Sequence, residues 1–200
     1  MYKSMTIASA AWSNIDAWCR AADLRHLETG WRLVGCRTVI RTDGGIVRGL
    51  HVGAAIGPGP LAVATKFKFS PDVAYQQGEL DRLMIARPEW TLVAEGHLHP
   101  ALMPHPSLQD VRMACAMGRD PGYRMPHAVM PIVIATVDGD RVILRGFSVG
   151  STPTGPVVSE FDILVPQVTN NVVSREVRAS VEPASGHVAN LLASQLRRFL

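Results

Sequence analysis

Two periods of apolar and polar residues alternate along this chain, and the switches between them mark out strands and helices. Residues 4 to 9 read as a short first strand. Ser13 or Asn14 then caps a predicted helix running to about His26, with Ile15, Trp18, Cys19 and Ala22 on one face. That helix delivers Glu28. Residues 31 to 41 and 46 to 56 are β-rich runs on either side of Arg41-Thr42-Asp43-Gly44-Gly45, whose Asp-Gly signals a hairpin. Gly57-Pro58-Gly59-Pro60 ends the second run, and the alternation of Val63, Thr65, Phe67 and Phe69 predicts a third strand over 62 to 69. A helix follows from Ser70-Pro71-Asp72, with the proline at its first position and the acid in its first turn. Leu80, Leu83 and Met84 form its buried stripe, Gly78 weakens it and Pro88 stops it.

Trp90 to His99 reads as a strand whose Thr91-Leu92-Val93-Ala94 run suits burial within a sheet. Ser107 opens the next helix, which turns Leu108, Val111, Ala114 and Cys115 to the core and ends at Gly118. A second hairpin joins residues 128 to 137 and 141 to 149 about Asp138-Gly139-Asp140. Gly150 to Pro156 is rich in Ser, Thr, Pro and Gly and reads as a linker. Beyond it, residues 157 to 165 predict one more strand. Val188, Leu191, Leu192, Leu196 and Phe199 line an apolar face on a final helix, suited to core packing or to a homodimer contact. Mixed strands and helices in this order give an α/β (α+β) class: a mixed central sheet flanked by helices over residues 1 to 150, then an extension over 151 to 200.

Composition narrows the function without naming it. Of 200 residues, 47% are apolar and only 18% charged, which is ample for a buried core. The net charge of +3 is modest and the basic residues are scattered apart from Arg197-Arg198, so no nucleic-acid stripe is visible. Cys19, Cys36 and Cys115 are far apart and lack Cys-x-x-Cys spacing, which suggests neither a disulfide framework nor a cysteine metal site and suits a reducing cytoplasm. The N-terminal residues lack the apolar segment of a secretory signal, and no apolar run is long enough for a membrane span.

Candidate chemistry is concentrated in residues 92 to 110. In a strand, His97 and His99 project to the same side, and neutral imidazole is a common zinc ligand. Ser107 and Asp110 have the spacing of a helix N-terminus, and the loop carrying Pro100, Pro104 and Pro106 is long enough to return Asp110 to the histidines. Two imidazoles and one carboxylate leave a fourth zinc position open, which marks a catalytic rather than a structural site. The competing reading makes each histidine an ordinary rim or core residue and Ser107 with Asp110 a simple helix cap.

His97-Leu98-His99-Pro100, followed by Ser107 and Asp110, resembles the zinc-binding motif of the JAB1/MPN/Mov34 metalloenzymes, the JAMM family. Glu28-Thr29-Gly30-Trp31-Arg32-Leu33-Val34-Gly35 resembles that family's upstream glutamate segment, with Trp31 in place of its second glycine. Leu98 stands where the family usually has serine, and Glu95-Gly96 replaces its usual bulky apolar pair. The resemblance covers about residues 5 to 147 and implies a cytidine-deaminase-like JAB/MPN fold of the prokaryotic type. It also implies one Zn2+ per chain on His97, His99 and Asp110, with Glu28 as the base and Ser107 as the donor to a tetrahedral oxyanion.

The implied activity is hydrolysis of the peptide or isopeptide bond after the C-terminal tail of a ubiquitin or ubiquitin-like protein, the expected partner, with companion activating or conjugating enzymes. An exposed sheet edge near the zinc would hold that extended tail. Processing of a sulfur-carrier protein or small peptide is the enzymatic alternative, and a scaffold without catalysis is the other. Glu95 competes with Glu28, because two positions before His97 it faces the same side; supporting a ligand is its expected role. His105 is expected to be exposed in the loop, with a place near substrate as its functional reading.

Overall fold

The computed structural model describes residues 1–42, 45–66, 68–100 and 103–165. In chain order these form β1 (Ser4–Ile7), α1 (Ser9–Asp23), β2 (Gly30–Thr42), β3 (Gly45–Ile56), β4 (Val63–Ala64) and β5 (Phe69–Ser70). Then come α2 (Val73–Ala86), β6 (Thr91–Leu98), α3 (Leu108–Arg119), β7 (Met130–Asp138), β8 (Arg141–Thr152) and β9 (Gly155–Leu164). The protein is thus mixed α/β. Seven strands form one sheet in the order β1-β3-β2-β6-β7-β8-β9. β1 is parallel to β3 and to β9, β6 is parallel to β7, and the other pairs are antiparallel.

The pairing of β1 with β9 closes this sheet into a barrel. Closure leaves no complete strand of the seven as an edge, so an exposed edge of the kind expected is confined to the separate two-stranded sheet. β4 and β5 form a separate two-stranded sheet where a single strand over 62 to 69 was expected; Phe67 lies outside the described residues. The break has a local cause, since the Thr65 N–H and Oγ1 both bond to the Lys68 carbonyl and turn the chain back on itself.

Strand alternation explains where the helices pack. On β7, Ile132 and Ile134 join a core with Val111, Ala114 and Cys115 of α3, while Val133 and Ala135 join a core with Ala11, Ile15 and Cys19 of α1. Successive residues point to opposite faces, so both faces are covered and the run is apolar throughout. Each fully buried Ile or Val side chain contributes about 1.5–3 kcal/mol relative to exposure.

α1 begins at Ser9, several residues before the predicted cap. Ala8 precedes it without a side-chain cap, but its N–H bonds to Val52 of β3, and Ala11 is buried in the first turn. Ser13 falls inside the helix, where its hydroxyl donates to the Ser9 carbonyl. Burial of the first turn therefore outweighs a cap effect of about 1 kcal/mol. α1 ends at Asp23, and His26 takes the left-handed conformation with φ of 51° while the Leu27 N–H bonds back to Ala22. This turn leads the chain to Glu28.

α2 starts at Val73, two residues later than predicted, with Asp72 not in the first turn but as the cap that accepts from the Tyr75 N–H. The predicted linker is also corrected. Residues 150 to 152 finish β8 and residues 155 to 156 begin β9, so the Ser/Thr/Pro/Gly composition reflects a hairpin turn rather than a tether. The boundary expected at 151 falls within this hairpin. Asp43 and Gly44, the expected hairpin signal, lie outside the described residues, as does the final helix expected around Val188 to Phe199. Among the described residues, no helix is long and apolar enough to cross a membrane.

Trp31 and Gly96 are paired across β2 and β6. Trp31 is 1% exposed, and a Cβ at position 96 would lie 2.7 Å from its Cε2 atom. The absence of a side chain on β6 makes room for the indole on β2. Gly96→Ala is therefore expected to lower stability by about 1–3 kcal/mol through overpacking. Urea denaturation checks this; an unchanged midpoint would contradict the packing.

Candidate metal centre

The three predicted ligands converge. β6 turns Glu95, His97 and, just past its end, His99 toward the face covered by α3, whose first turn carries Asp110. His97 Nε2 and His99 Nε2 lie 2.8 Å apart, and each is 3.3 Å from an oxygen of Asp110. Among the described residues this His-His-Asp group is the one that could hold a metal ion. A tetrahedral centre with bonds of about 2.0–2.1 Å needs donors roughly 3.3–3.4 Å apart. The two His–Asp separations meet that requirement, while the imidazoles must open by about half an ångström.

The chain holds each donor in place. His99 Nδ1 lies 3.0 Å from the Met103 carbonyl, an arrangement in which Nδ1–H donates and Nε2 keeps its lone pair for a metal. Asp110 Oδ2 accepts from the Ser107 N–H at 2.6 Å, and Ser107 Oγ accepts from the Asp110 N–H at 3.2 Å, a reciprocal capping box. Ser107 is therefore the helix cap. Among the described residues its hydroxyl proton has no acceptor, so the capping role leaves that donor available. His97 retains 23% exposure against 8% for His99, so the group opens to solvent on the His97 side.

Glu28 and Glu95 differ in their surroundings. Glu28 stands two residues before Gly30, which pairs with His97, and its N–H bonds to Thr65. Burial raises its pKa, His97 and His99 pull it down, and Asp110 pushes it up, for a net upward shift. Its charge thus acts on the metal group. Glu95 instead pairs with Arg32 directly across the strands, Nε to Oε1 at 3.1 Å. Burial raises the Glu95 pKa to about 7 against the opposing effect of Arg32.

His105 departs from its expected exposure. Its ring is half-buried, edge-on to Phe147 at 5.9 Å, and its enclosed Nδ1 has no partner among the described residues. It does not join the metal group. Sequence reading missed three supports: Arg32 under Glu95, the Met103 carbonyl behind His99, and the Thr65 carbonyl holding Glu28. Arg32 carried a signal, as a lone charge within an apolar strand run. The two carbonyls carried none, because any residue supplies one.

Protons and a metal compete for this group. Burial disfavours charge on His99, but the hydrogen bond and charge of Asp110 outweigh it and raise the pKa. Burial also favours neutral Asp110, yet His97, His99 and Ser107 hold its carboxyl well below the usual carboxylate range. In metal-free protein the His99 contribution to stability is full below its unfolded pKa of about 6.5 and is lost as pH rises through the raised folded value. The Asp110 contribution is present above about 3.9 and is lost as pH falls through the depressed value. Both act together between about pH 4 and 6.5. Metal binding must displace the His99 proton, so affinity is expected to weaken steadily as pH falls below the raised His99 value. Calorimetry in buffers of different ionisation enthalpy measures the released proton; an affinity that stays flat from pH 8 to 5.5 would contradict this.

Comparison of the chain with known protein families finds no match, and comparison with curated proteins finds none.

Proposed function

We propose that this protein is a zinc-dependent hydrolase of peptide or isopeptide bonds, acting after the C-terminal tail of a ubiquitin or ubiquitin-like protein. The observation that carries the reading is the convergence of His97, His99 and Asp110 from a strand end and a helix start, with Glu28 electrostatically coupled to all three. The substrate class comes from the JAMM resemblance. A cytidine-deaminase-like JAB/MPN fold is part of the same proposal, supported by helices on both faces of a mixed sheet; the β1–β9 closure was not anticipated by it.

The departures at Trp31 and Gly96 compensate each other. The resemblance calls for a small residue at 31 and a bulky one at 96, and this chain exchanges the two volumes across one register pair. The strand end bearing the histidines is kept while its packing is inverted.

Zinc, when bound, supplies a Lewis acid that brings the pKa of water toward about 7 and polarises a carbonyl. Glu28 takes the proton from the attacking water and returns it to the leaving amine; its raised pKa brings it closer to the working pH of a general base. The Ser107 hydroxyl donates to the oxyanion that develops on the substrate carbonyl. Arg32 engages Glu95, which leaves Glu28 as the carboxylate for proton transfer.

Glu28→Gln keeps the shape and removes the proton acceptor. At saturating zinc this variant is expected to bind metal and substrate normally and to lose at least about a hundredfold in turnover on a panel of ubiquitin-like and sulfur-carrier fusions. Glu95→Gln should lose much less. Near-normal turnover in Glu28→Gln with collapse in Glu95→Gln would reverse the two roles.

A further inference from the structure

A second polar constellation lies at the other end of β2. Arg37 is seven positions beyond Gly30, the residue paired with His97, and is therefore about 23 Å along the strand from the metal group at about 3.3 Å per residue. There Tyr2, Arg37, Val39, Arg48, His127 and Val129 line a cavity of about 260 Å³.

The register brings both lining arginines together. Arg37 pairs with Leu50 and Val39 with Arg48, so Arg37 and Arg48 are diagonal neighbours on one face, about 7–8 Å apart at the backbone. Neither has a carboxylate partner among the described residues. Arg37 Nη2 reaches only the Arg124 carbonyl at 3.5 Å and Met125 Sδ at 3.6 Å, both long, and its Nε is enclosed without an acceptor. Left-handed backbone at His127 and Ala128, with φ of 57° and 52°, brings a third donor to the cavity. Such conformations cost of order 1 kcal/mol or more outside glycine and persist where the surroundings impose them.

We propose that this cavity binds a small organic carboxylate, with the anion between Arg37 and Arg48 and a short apolar stem against Tyr2, Val39 and Val129. An anion there would relieve the repulsion of two guanidiniums that have no carboxylate partner among the described residues. A planar carboxylate matches the guanidinium fork. The apolar remainder of the lining matches a stem rather than a bare ion, and the volume, at the small end for ligand sites, limits that stem to a few carbons.

Butyrate, acetate and inorganic phosphate, each titrated into the full chain at constant ionic strength, test the site through backbone amide NMR signals. Butyrate is expected to give saturable shifts at Tyr2, Val39, Arg48 and His127, and to bind more tightly than acetate or phosphate. Arg48→Gln, at an exposed position, should weaken butyrate at least about tenfold while preserving the rest of the spectrum. Arg37→Lys should weaken it too, because the fork is lost while the charge remains. Four results would overturn the proposal: no saturable shift at these residues, equal affinity in Arg48→Gln, phosphate binding at least as tightly as butyrate, or butyrate shifts confined to the residues around His97 and Asp110.

Discussion

Everything at the candidate centre depends on Asp110 serving two elements at once. One oxygen closes the capping box with the Ser107 N–H, and the carboxylate as a whole faces His97 and His99 across the gap between α3 and β6. The cap fixes the side chain before any ligand arrives, so the rotamer entropy of the carboxylate is already lost when a metal binds. The same bond ties the start of α3 to the donor set. A disturbance of the helix start is therefore a disturbance of the centre.

That arrangement survives because the sheet beneath it is enclosed on both sides. β6 and β7 are apolar on alternate faces, against α1 on one and α3 on the other, and the polar residues Glu95, His97 and His99 appear only toward the C-terminal end of β6. The charged and imidazole side chains there have partners: Arg32 for Glu95, Met103 and Asp110 for His99. Such pairing is what a half-buried cluster needs, since an unpaired carboxylate or imidazolium in that position would destabilise the fold. The exchange of volume between Trp31 and Gly96 belongs to the same enclosure, as the indole fills space beside the strand that carries the ligands.

The elements that bring His97, His99 and Asp110 together were legible because their signals are local. Alternation marked β6, Ser107 with Asp110 marked the start of α3, and His-x-His placed two imidazoles on one face. What escaped was set by distant contacts. The start of α1 follows from burial of Ala11 rather than from a capping side chain, and barrel closure follows from β1 meeting β9, residues more than a hundred and fifty positions apart. Turn-like composition at Gly150 to Pro156 suits a linker and a hairpin equally, so only the pairing of β8 with β9 decides between them. In the sequence, Glu28 is preferred to Glu95 on the resemblance alone, because the Arg32 that pairs with Glu95 reaches it from the neighbouring strand and leaves no signal local to Glu95.

The central proposal is that His97, His99 and Asp110, which could hold a metal ion, bind one zinc and leave a position open. X-ray absorption spectroscopy of the zinc-loaded chain tests it most directly. The account predicts a four-coordinate shell of nitrogen and oxygen at about 2.0–2.1 Å, with outer-shell scattering from two imidazoles and no sulfur. A sulfur shell near 2.3 Å, which would draw on the cysteines, or a shell without imidazole scattering, would contradict it.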